Sequence, residues 1–219
     1  MISLAHNGVL FLDELPEFKR SLLEVMRQPL ESRSITISRA RFSVDYPASF
    51  MLIAAMNPCP CGYYNHPEKE CICGSAVVQR YLSKISGPLL DRIDLHVEVT
   101  PIEFNELAGY SSSEKSIAIR DRVMHARRAQ EQRFDGVDHI HCNAQMNTKA
   151  VRDVCRISEE GTLLLKRAME KLGLSARAYD RILKVARTIA DMDQKSDIEN
   201  QNLAEAIHFR SLDRENWAG

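Results

Sequence analysis

The strongest constraint on the fold is a short apolar run that ends abruptly in two acids. Residues Gly8–Leu12 contain no polar side chain and are followed directly by Asp13 and Glu14. An apolar run of this length is typical of a strand buried on both faces of a parallel sheet. Phe50–Ala55 repeats the pattern shortly before Asn57. Because open α/β sheets bind ligands at the carboxyl ends of their strands, these polar residues are the first candidates for a site.

A helix and a hairpin are predicted between these two strands. Apolar residues at helical spacing after Pro16 predict one amphipathic helix. They are Phe18, Leu22, Leu23, Met26 and Leu30. Ser34–Ser38 and Phe42–Val44 predict two short strands on either side of a basic tip, Arg39-Ala40-Arg41.

The second half of the sequence is expected to be helical. A helix through Val77–Ile85 and a third strand at Leu95–Val99 complete the first half. Lys115–Arg133 then predicts a long helix, and Ser158 and Ser175 are placed to cap two more. Leu203, Ala206, Ile207 and Phe209 mark a last short helix. We therefore expect an α/β part at residues 1–105, a linker helix at 106–142 and a helical lid domain at 143–219.

Charge and hydropathy exclude some classes of protein. The net charge is only −1, so nucleic acid could be bound only through local basic patches. The apolar runs are too short to span a bilayer, and no signal peptide opens the sequence. These features favour a cytoplasmic protein that makes no membrane contact.

The first apolar run with its two acids matches the Walker B pattern of nucleotide hydrolases. Asp13 would hold Mg²⁺, usually through water, and Glu14 would orient and deprotonate the attacking water. An ordinary strand followed by a helix-capping acid fits the same residues, since short motifs have many false positives.

Three further residues favour the hydrolase interpretation when taken in chain order. Asn57 could bind the attacking water or the terminal phosphate, although Asn before Pro is also an ordinary turn signal. Arg92, at the start of the third predicted strand, could act on a neighbouring subunit's nucleotide, or form a surface salt bridge with Asp91 or Asp94. Arg177 begins a helix of the lid and could reach the phosphates, or be a solvated first-turn arginine.

Four cysteines lie in two close pairs and suggest a metal site. They are Cys59, Cys61, Cys71 and Cys73. Tetrahedral Zn²⁺ sites take four soft ligands from two short loops, although each pair here is C-x-C rather than the usual C-x₂-C. His66 could replace one cysteine, and buried free thiols are the alternative. A possible Zn²⁺ site is therefore expected.

The basic hairpin is a candidate nucleic-acid surface. Arg33, Arg39 and Arg41 crowd it with little acid nearby. Such arginines could follow a phosphate backbone without reading bases. A charged hairpin kept soluble at a sheet edge is the alternative.

Four motifs resemble the magnesium-chelatase-related ComM/YifB family. They are SLAHNGVLFLDEL at Ser3–Leu15, AAMNPCPCG at Ala54–Gly62, KISGPLLDRIDLH at Lys84–His96 and LSARAYDRIL at Leu174–Leu183. The resemblance implies a partial AAA+ core of the P-loop NTPase type with a helical lid. It implies Asp13 and Glu14 as Walker B, Asn57 as sensor 1, Arg92 as the arginine finger and Arg177 as sensor 2. It also implies ATP and Mg²⁺ as cofactors, a hexameric homo-oligomeric ring, and single-stranded or branched DNA as the substrate. Hairpins inserted at this place in the family face the pore of the ring.

One departure from the family pattern concerns nucleotide binding. The Gly-rich P-loop ending in Lys-Ser/Thr does not occur in these 219 residues. The sequence is therefore expected to be a truncated product whose own ATPase activity is lost, with unpaired strand edges that favour self-association. Two alternatives to a DNA motor stay open: a metal-chelatase or chaperone-type motor that acts on protein, and a non-catalytic remnant.

Overall fold

The computed structural model describes residues 2–39, 42–99 and 114–210, and only the backbone of Arg39. These residues form two compact units that divide between Ile93 and Asp94. The expected domain boundary near residue 105 lies outside the described residues. The first unit is a mixed α/β structure with a small parallel sheet, and the second is helical. No helix within the described ranges is long and apolar enough to cross a membrane.

The first unit contains four described strands and several short helices. The strands are β1 (Val9–Leu12), β2 (Ser34–Arg39), β3 (Phe42–Pro47) and β4 (Met51–Ala54). The α-helices are α1 (Arg20–Val25), α2 (Arg27–Ser32), α3 (Ser75–Leu82) and α4 (Gly87–Leu90). Ile2–Ala5 and Leu15–Glu17 form 3-10 helices.

Strands β1 and β4 pair in parallel, as the two apolar runs predict. Leu10, Leu12 and Leu52 all point to one face and pack on a core of buried residues. That core comprises Leu15, Leu23, Met26, Ile85, Leu89 and Leu90.

The prediction that the first strand is buried on both faces is wrong. On the opposite face of the pair, the side chains of Val9 and Phe11 are 53% and 58% exposed, and those of Met51 and Ile53 are also exposed. Residues alternate between the two faces of a strand, and within the described residues the buried core collects against one face only. The unbroken apolar run thus predicted the strand correctly, but it did not predict which of the strand's two faces is buried.

The single helix predicted after Pro16 is two helices, because the chain breaks at Met26. A proline at position 29 has no N–H to donate to the carbonyl of Val25, so the helical ladder cannot continue through this turn. The next bond, from Leu30 N to Met26 O at 3.2 Å, starts the second helix. The helix predicted through Val77–Ile85 is likewise shifted to Ser75–Leu82.

The predicted hairpin is confirmed. Strands β2 and β3 pair antiparallel from Ser34↔Pro47 to Arg39↔Phe42. A side-chain bond from Thr36 Oγ1 to Asp45 Oδ1, at 2.5 Å, joins the strands on one face. At the base of the hairpin, Ala48 N donates to the carbonyl of Arg33 at 2.7 Å.

The third predicted strand, Leu95–Val99, is not formed. These residues make no strand pairing with any described residue, and the backbone N–H of His96 instead donates to the carbonyl of Phe209 at 2.8 Å. Leu95, Val97 and Val99 are exposed. Alternating apolar residues become a strand only when a neighbouring strand offers a ladder of hydrogen bonds.

The second unit confirms the four predicted helices and contains a fifth, Thr148–Val154, that was not predicted. They are α5 (Ser116–Arg133), α6 (Thr148–Val154), α7 (Glu159–Leu172), α8 (Ala176–Met192) and α9 (Asn200–His208). Ser158 caps α7 by accepting a bond from Gly161 N at 3.0 Å, and Ser175 caps α8 through Ala178 N at 3.3 Å. Gly173 ends α7 with φ 63°, a left-handed conformation that costs glycine little.

A buried polar network crosses the interior of the helical unit around Asp191. Its carboxylate accepts two hydrogen bonds from Arg133, at 2.5 and 2.8 Å. It also accepts one from Asn143 Nδ2 at 2.8 Å and one from Arg187 Nε at 3.1 Å. The guanidinium of Arg187 further donates to the carbonyls of Lys195 and Ser196. The network therefore joins α5, the segment before α6 and the end of α8.

Candidate functional site

Asp13 and Glu14 project from a small bulge at the carboxyl end of β1. Ala55 N donates to the carbonyl of Leu12 at 2.9 Å, and Leu15 N donates to the carbonyl of Ala55 at 3.0 Å. The two acids lie between these hydrogen bonds, so they have no partner across the strand pair. Both are exposed. The hydrogen bonds of Leu12 and Leu15 with Ala55 therefore fix the position of the two acids at the end of the strand.

The backbone of Glu14 is left-handed, with φ 50° and ψ 48°. This conformation is sparsely populated for residues other than glycine and costs on the order of 1 kcal/mol or more. Its N–H donates to Oδ1 of Asp13 at 2.9 Å. Such strain at the end of a strand is frequent at functional sites.

Asn57 lies at the same edge of the sheet as the two acids. It follows β4 by three residues and is exposed. Because β1 and β4 are parallel and pair Leu12 with Ala54, their carboxyl ends coincide. Asp13, Glu14 and Asn57 therefore follow strands that end at one edge of the sheet. Carboxylate and amide oxygens are the ligand types that Mg²⁺ accepts.

Arg92 is buried in the first unit, with 5% of its side chain exposed. Its Nη2 lies 2.6 Å from Oε2 of Glu31, and its Nη1 donates to the carbonyl of Pro88 at 2.5 Å. Glu31 was missed by sequence reasoning, since it lies 61 residues away on α2 and carries no motif. Asp94 instead forms an ion pair with Arg181 in the second unit.

The remaining predicted residues lie on the helical unit and on the hairpin. Arg177 is exposed on the first turn of α8. Arg33 ends α2 in a left-handed conformation, with φ 57°, at the base of the hairpin. The side chain of Arg39 and the whole of Arg41 lie outside the described residues.

The four predicted cysteines come together in one cluster. The Sγ atoms of Cys59, Cys61 and Cys71 are separated by 3.3, 3.7 and 3.6 Å, and all four sulfur atoms lie within 4.8 Å of one another. Cys59 is fully buried and the other three are partly buried. They pack against Val78, Tyr81 and Leu82 of α3 and the preceding loop residues.

The cluster makes its thiols chemically unequal. A backbone hydrogen bond from Tyr63 lowers the pKa of Cys61 to about 6. Burial raises the pKa of Cys71 to about 12. The pKa of Cys73 is raised as well; a backbone hydrogen bond from Cys61 lowers it, but burial and the neighbouring sulfurs outweigh that bond. The pKa values of neighbouring thiols thus shift in opposite directions, because a backbone donor favours the thiolate at Cys61 while burial disfavours it at Cys71.

His66 does not join the four sulfurs. Its Nδ1 accepts backbone hydrogen bonds from Glu68 N and Lys69 N, both at 3.1 Å, so it shapes the loop between the two cysteine pairs. Its ring also contacts Tyr63 edge-on. The cluster is therefore a set of four sulfur ligands.

Comparison with known proteins gives a consistent family. The family model described as magnesium chelatase, subunit ChlI, matches residues 1–107, and the one described as its C-terminal part matches residues 113–210. The chain is 44% identical over 214 residues to competence protein ComM of Haemophilus influenzae, covering 97% of this chain and 41% of that protein. It is 44% identical over 215 residues to the uncharacterized protein YifB of Escherichia coli, with the same coverage. An uncharacterized protein of Mycobacterium tuberculosis is 38% identical over 209 residues, which are 95% of this chain and 41% of that protein. The chain thus spans about two fifths of the length of these relatives.

Proposed function

This chain belongs to the magnesium-chelatase-related family that includes ComM and YifB, and from that premise we propose that it is part of an ATP-driven AAA+ motor acting on DNA. In this proposal it supplies the hydrolysis residues, the sensors and the inter-subunit arginine. The motor would work as a hexameric ring on single-stranded or branched DNA.

The observation that carries the proposal is the shared edge of β1 and β4. Two exposed carboxylates and one exposed amide lie where two adjacent parallel strands end. Ligands of open α/β sheets bind at such edges. The oxygens of Asp13 fit Mg²⁺, which prefers hard ligands and takes one or two carboxylates together with phosphate oxygens. Bound Mg·ATP would supply the phosphate that is transferred to water.

Each residue of this edge has a distinct part in hydrolysis. Asp13 holds the metal, usually through water. Glu14, whose backbone is left-handed, accepts a proton from the attacking water. The amide of Asn57 orients that water or the terminal phosphate. Outside this edge, Arg177 of the helical unit has the sensor 2 role that the family resemblance implies.

Arg92 acts on the nucleotide of a neighbouring subunit in this proposal. To do so, its guanidinium must exchange the carboxylate of Glu31 for phosphate oxygens, and both are bidentate partners suited to arginine. Glu31 thus holds the arginine in its own chain when no nucleotide faces it.

The hydrolysis role can be tested in a chimera that joins this chain to the remaining segments of the Haemophilus influenzae relative. Glu14→Gln should reduce ATP turnover by about 100-fold or more while ATP still binds, because the base is lost and the metal and phosphate contacts remain. Glu17→Gln is the matched control, since Glu17 is exposed nearby and pairs with Lys84 at 3.5 Å. Normal turnover by Glu14→Gln would exclude this role. An inactive chimera with no defect in binding DNA would favour the non-catalytic remnant.

The substrate can be tested on the hairpin. The name of one relative, a competence protein, favours DNA as the substrate, while the family description, magnesium chelatase, keeps the metal-chelatase alternative open. Changing Arg39 and Arg41 to Gln should weaken single-stranded DNA binding and reduce its salt slope by about 0.7 for each phosphate that is no longer neutralised. Arg127→Gln with Arg128→Gln on the exposed face of α5 is the control. An unchanged affinity and slope in the hairpin variant would favour a protein substrate.

A further inference from the structure

The proposed motor chemistry makes no use of the four cysteines that follow Asn57. We propose that Cys59, Cys61, Cys71 and Cys73 bind a single Zn²⁺ ion, which ties the loop after β4 to the start of α3. The proposal stands on the positions of the sulfur atoms and does not depend on nucleotide hydrolysis.

The spacing of the sulfurs suits one tetrahedral ion. Zinc–sulfur bonds of about 2.3 Å at tetrahedral angles place the ligand sulfurs roughly 3.8 Å apart. The sulfur of Cys71 lies 3.7 Å from that of Cys59 and 3.6 Å from that of Cys61, and the sulfurs of Cys59 and Cys61 are 3.3 Å apart. The sulfur of Cys73 lies within 4.8 Å of the rest. Only a small adjustment around an ion is needed to complete the shell.

Two other uses of four cysteines fit the structure less well. A disulfide brings two sulfurs to about 2.05 Å, and all four cysteines are free thiols here. Two residues separated by a single proline, as in Cys59-Pro60-Cys61, form a ring too short for an unstrained disulfide. An iron–sulfur cluster would distribute the four cysteines over two or four irons, which spreads the sulfurs, whereas here all four lie within 4.8 Å of one another.

The surroundings of the cluster resemble the outer shell of a metal site. The sulfur of Cys61 accepts backbone hydrogen bonds from Tyr63 and Ile72. The sulfur of Cys73 accepts one from the backbone of Cys61. Backbone N–H groups directed at thiolates orient the ligands and offset their negative charge. On the inner side, Val78 and Leu82 exclude water from Cys59.

The position of the cluster indicates what the ion does. Cys59 lies two residues after Asn57, and Cys73 lies two residues before Ser75, the first residue of α3. The 15 residues from Cys59 to Cys73 contain no helix or strand, so few backbone bonds hold their ends together. Four bonds to one ion would close this loop and fix both the residues next to Asn57 and the first turn of α3.

The test is the metal content of the 219-residue chain prepared under reducing conditions without chelator. Elemental analysis should find about one zinc per chain. Cys59→Ser and Cys71→Ser should each lower zinc affinity by more than the roughly 10–100-fold that loss of an outer-shell partner costs. Cys142→Ser is the matched control, because Cys142 is a partly buried free thiol outside the cluster. It should keep its zinc.

Two further measurements keep the test decisive if a serine variant does not fold. Cys73→His should retain one zinc per chain, since three thiolates and an imidazole form a complete zinc shell. In the unaltered chain, removal of zinc should speed amide hydrogen exchange in 56–62 and in α3, and leave α7 unchanged. The proposal is overturned if the chain neither contains zinc nor binds added zinc, if it holds iron instead, or if Cys142→Ser loses as much zinc as Cys59→Ser.

Discussion

Asp191→Ala is expected to be among the most destabilising single changes in the helical unit. The side chain of Asp191 is 1% exposed and neutralises two arginines of the interior. Alanine removes every hydrogen bond that the carboxylate accepts from Arg133, Asn143 and Arg187. Both arginines then lose their counter-charge, and the side chain of Arg187 is buried away from water.

The size of the effect follows from what each partner can still do. Breaking a buried ion pair by removing one member costs about 3–5 kcal/mol. Arg187, whose side chain is 2% exposed, keeps the carbonyls of Lys195 and Ser196 at 2.6 and 2.7 Å. Arg133 is 22% exposed and can turn towards water. Both facts lower the cost, so we expect the lower end of the range, about 3 kcal/mol.

Native-state hydrogen exchange of α8 is the appropriate assay, because the two units can open separately. The free energy of opening should fall by about 3 kcal/mol in Asp191→Ala, and by less than about 0.5 kcal/mol in the control Asp197→Ala, whose side chain is exposed. The double variant Asp191→Leu with Arg187→Met should be more stable than Asp191→Leu alone by at least about 1 kcal/mol. The buried positive charge of Arg187, which has lost its counter-charge, is then removed as well. A loss below about 1 kcal/mol in Asp191→Ala would refute the reasoning.

Two other predictions concern a buried thiol and the inter-subunit arginine. Burial raises the pKa of Cys155 to about 11 from an ordinary value of 9.0, so the unfolded chain loses this proton first as the pH rises. Between pH 9 and 11 the chain should therefore lose on the order of 2–3 kcal/mol of stability, and Cys155→Ala should not show this loss. Denaturant titrations that give the same loss for both proteins over this pH range would contradict the prediction. In the chimera, Arg92→Ala subunits and Glu14→Gln subunits should each be inactive as rings but regain part of the ATP turnover when mixed, because an intact arginine then faces an intact base. No recovery in mixed rings that are shown to assemble would argue against shared sites.

Local signals predicted the helical unit well. Ser158, Ser175 and Gly173 cap or end the helices that their residue types favour, since a cap satisfies groups of its own backbone turn. The paired strands β1 and β4 were equally evident from their apolar runs. Each cap, and each of these two strands taken singly, depends on residues that are close together in sequence.

Several of the failures involve partners that lie far away in sequence. Nothing in Leu95–Val99 reveals whether a strand is there to pair with it, and nothing in Val9 or Phe11 reveals whether a layer covers their face. The ion pair of Arg92 with Glu31 joins two segments without a common motif. Hydrophobic periodicity describes a single helix or strand, whereas burial and strand pairing depend on the contact between two elements.

The candidate sites were predictable to different degrees. All four members of the cysteine cluster could be predicted, because both cysteine pairs lie on one short loop, which keeps them close in space. The position of Asp13 and Glu14 at the carboxyl end of a strand was predicted. The left-handed backbone of Glu14 was not, since glutamate rarely adopts this conformation. Of the hairpin, the strands were predicted, while the side chains at its tip stay a prediction.

The most direct test of the central claim is a calorimetric titration of Mg·ATP into the chimera and its Asp13→Asn and Glu14→Gln variants. If the shared edge of β1 and β4 is a Mg·ATP site, Asp13→Asn should lose most of the magnesium-dependent affinity, because the amide oxygen is a weaker ligand for Mg²⁺ than a carboxylate. Glu14→Gln should bind as tightly as the unaltered chimera, because its carboxylate acts on water and not on the metal. Equal, magnesium-independent binding by all three proteins would show that the nucleotide does not occupy this edge.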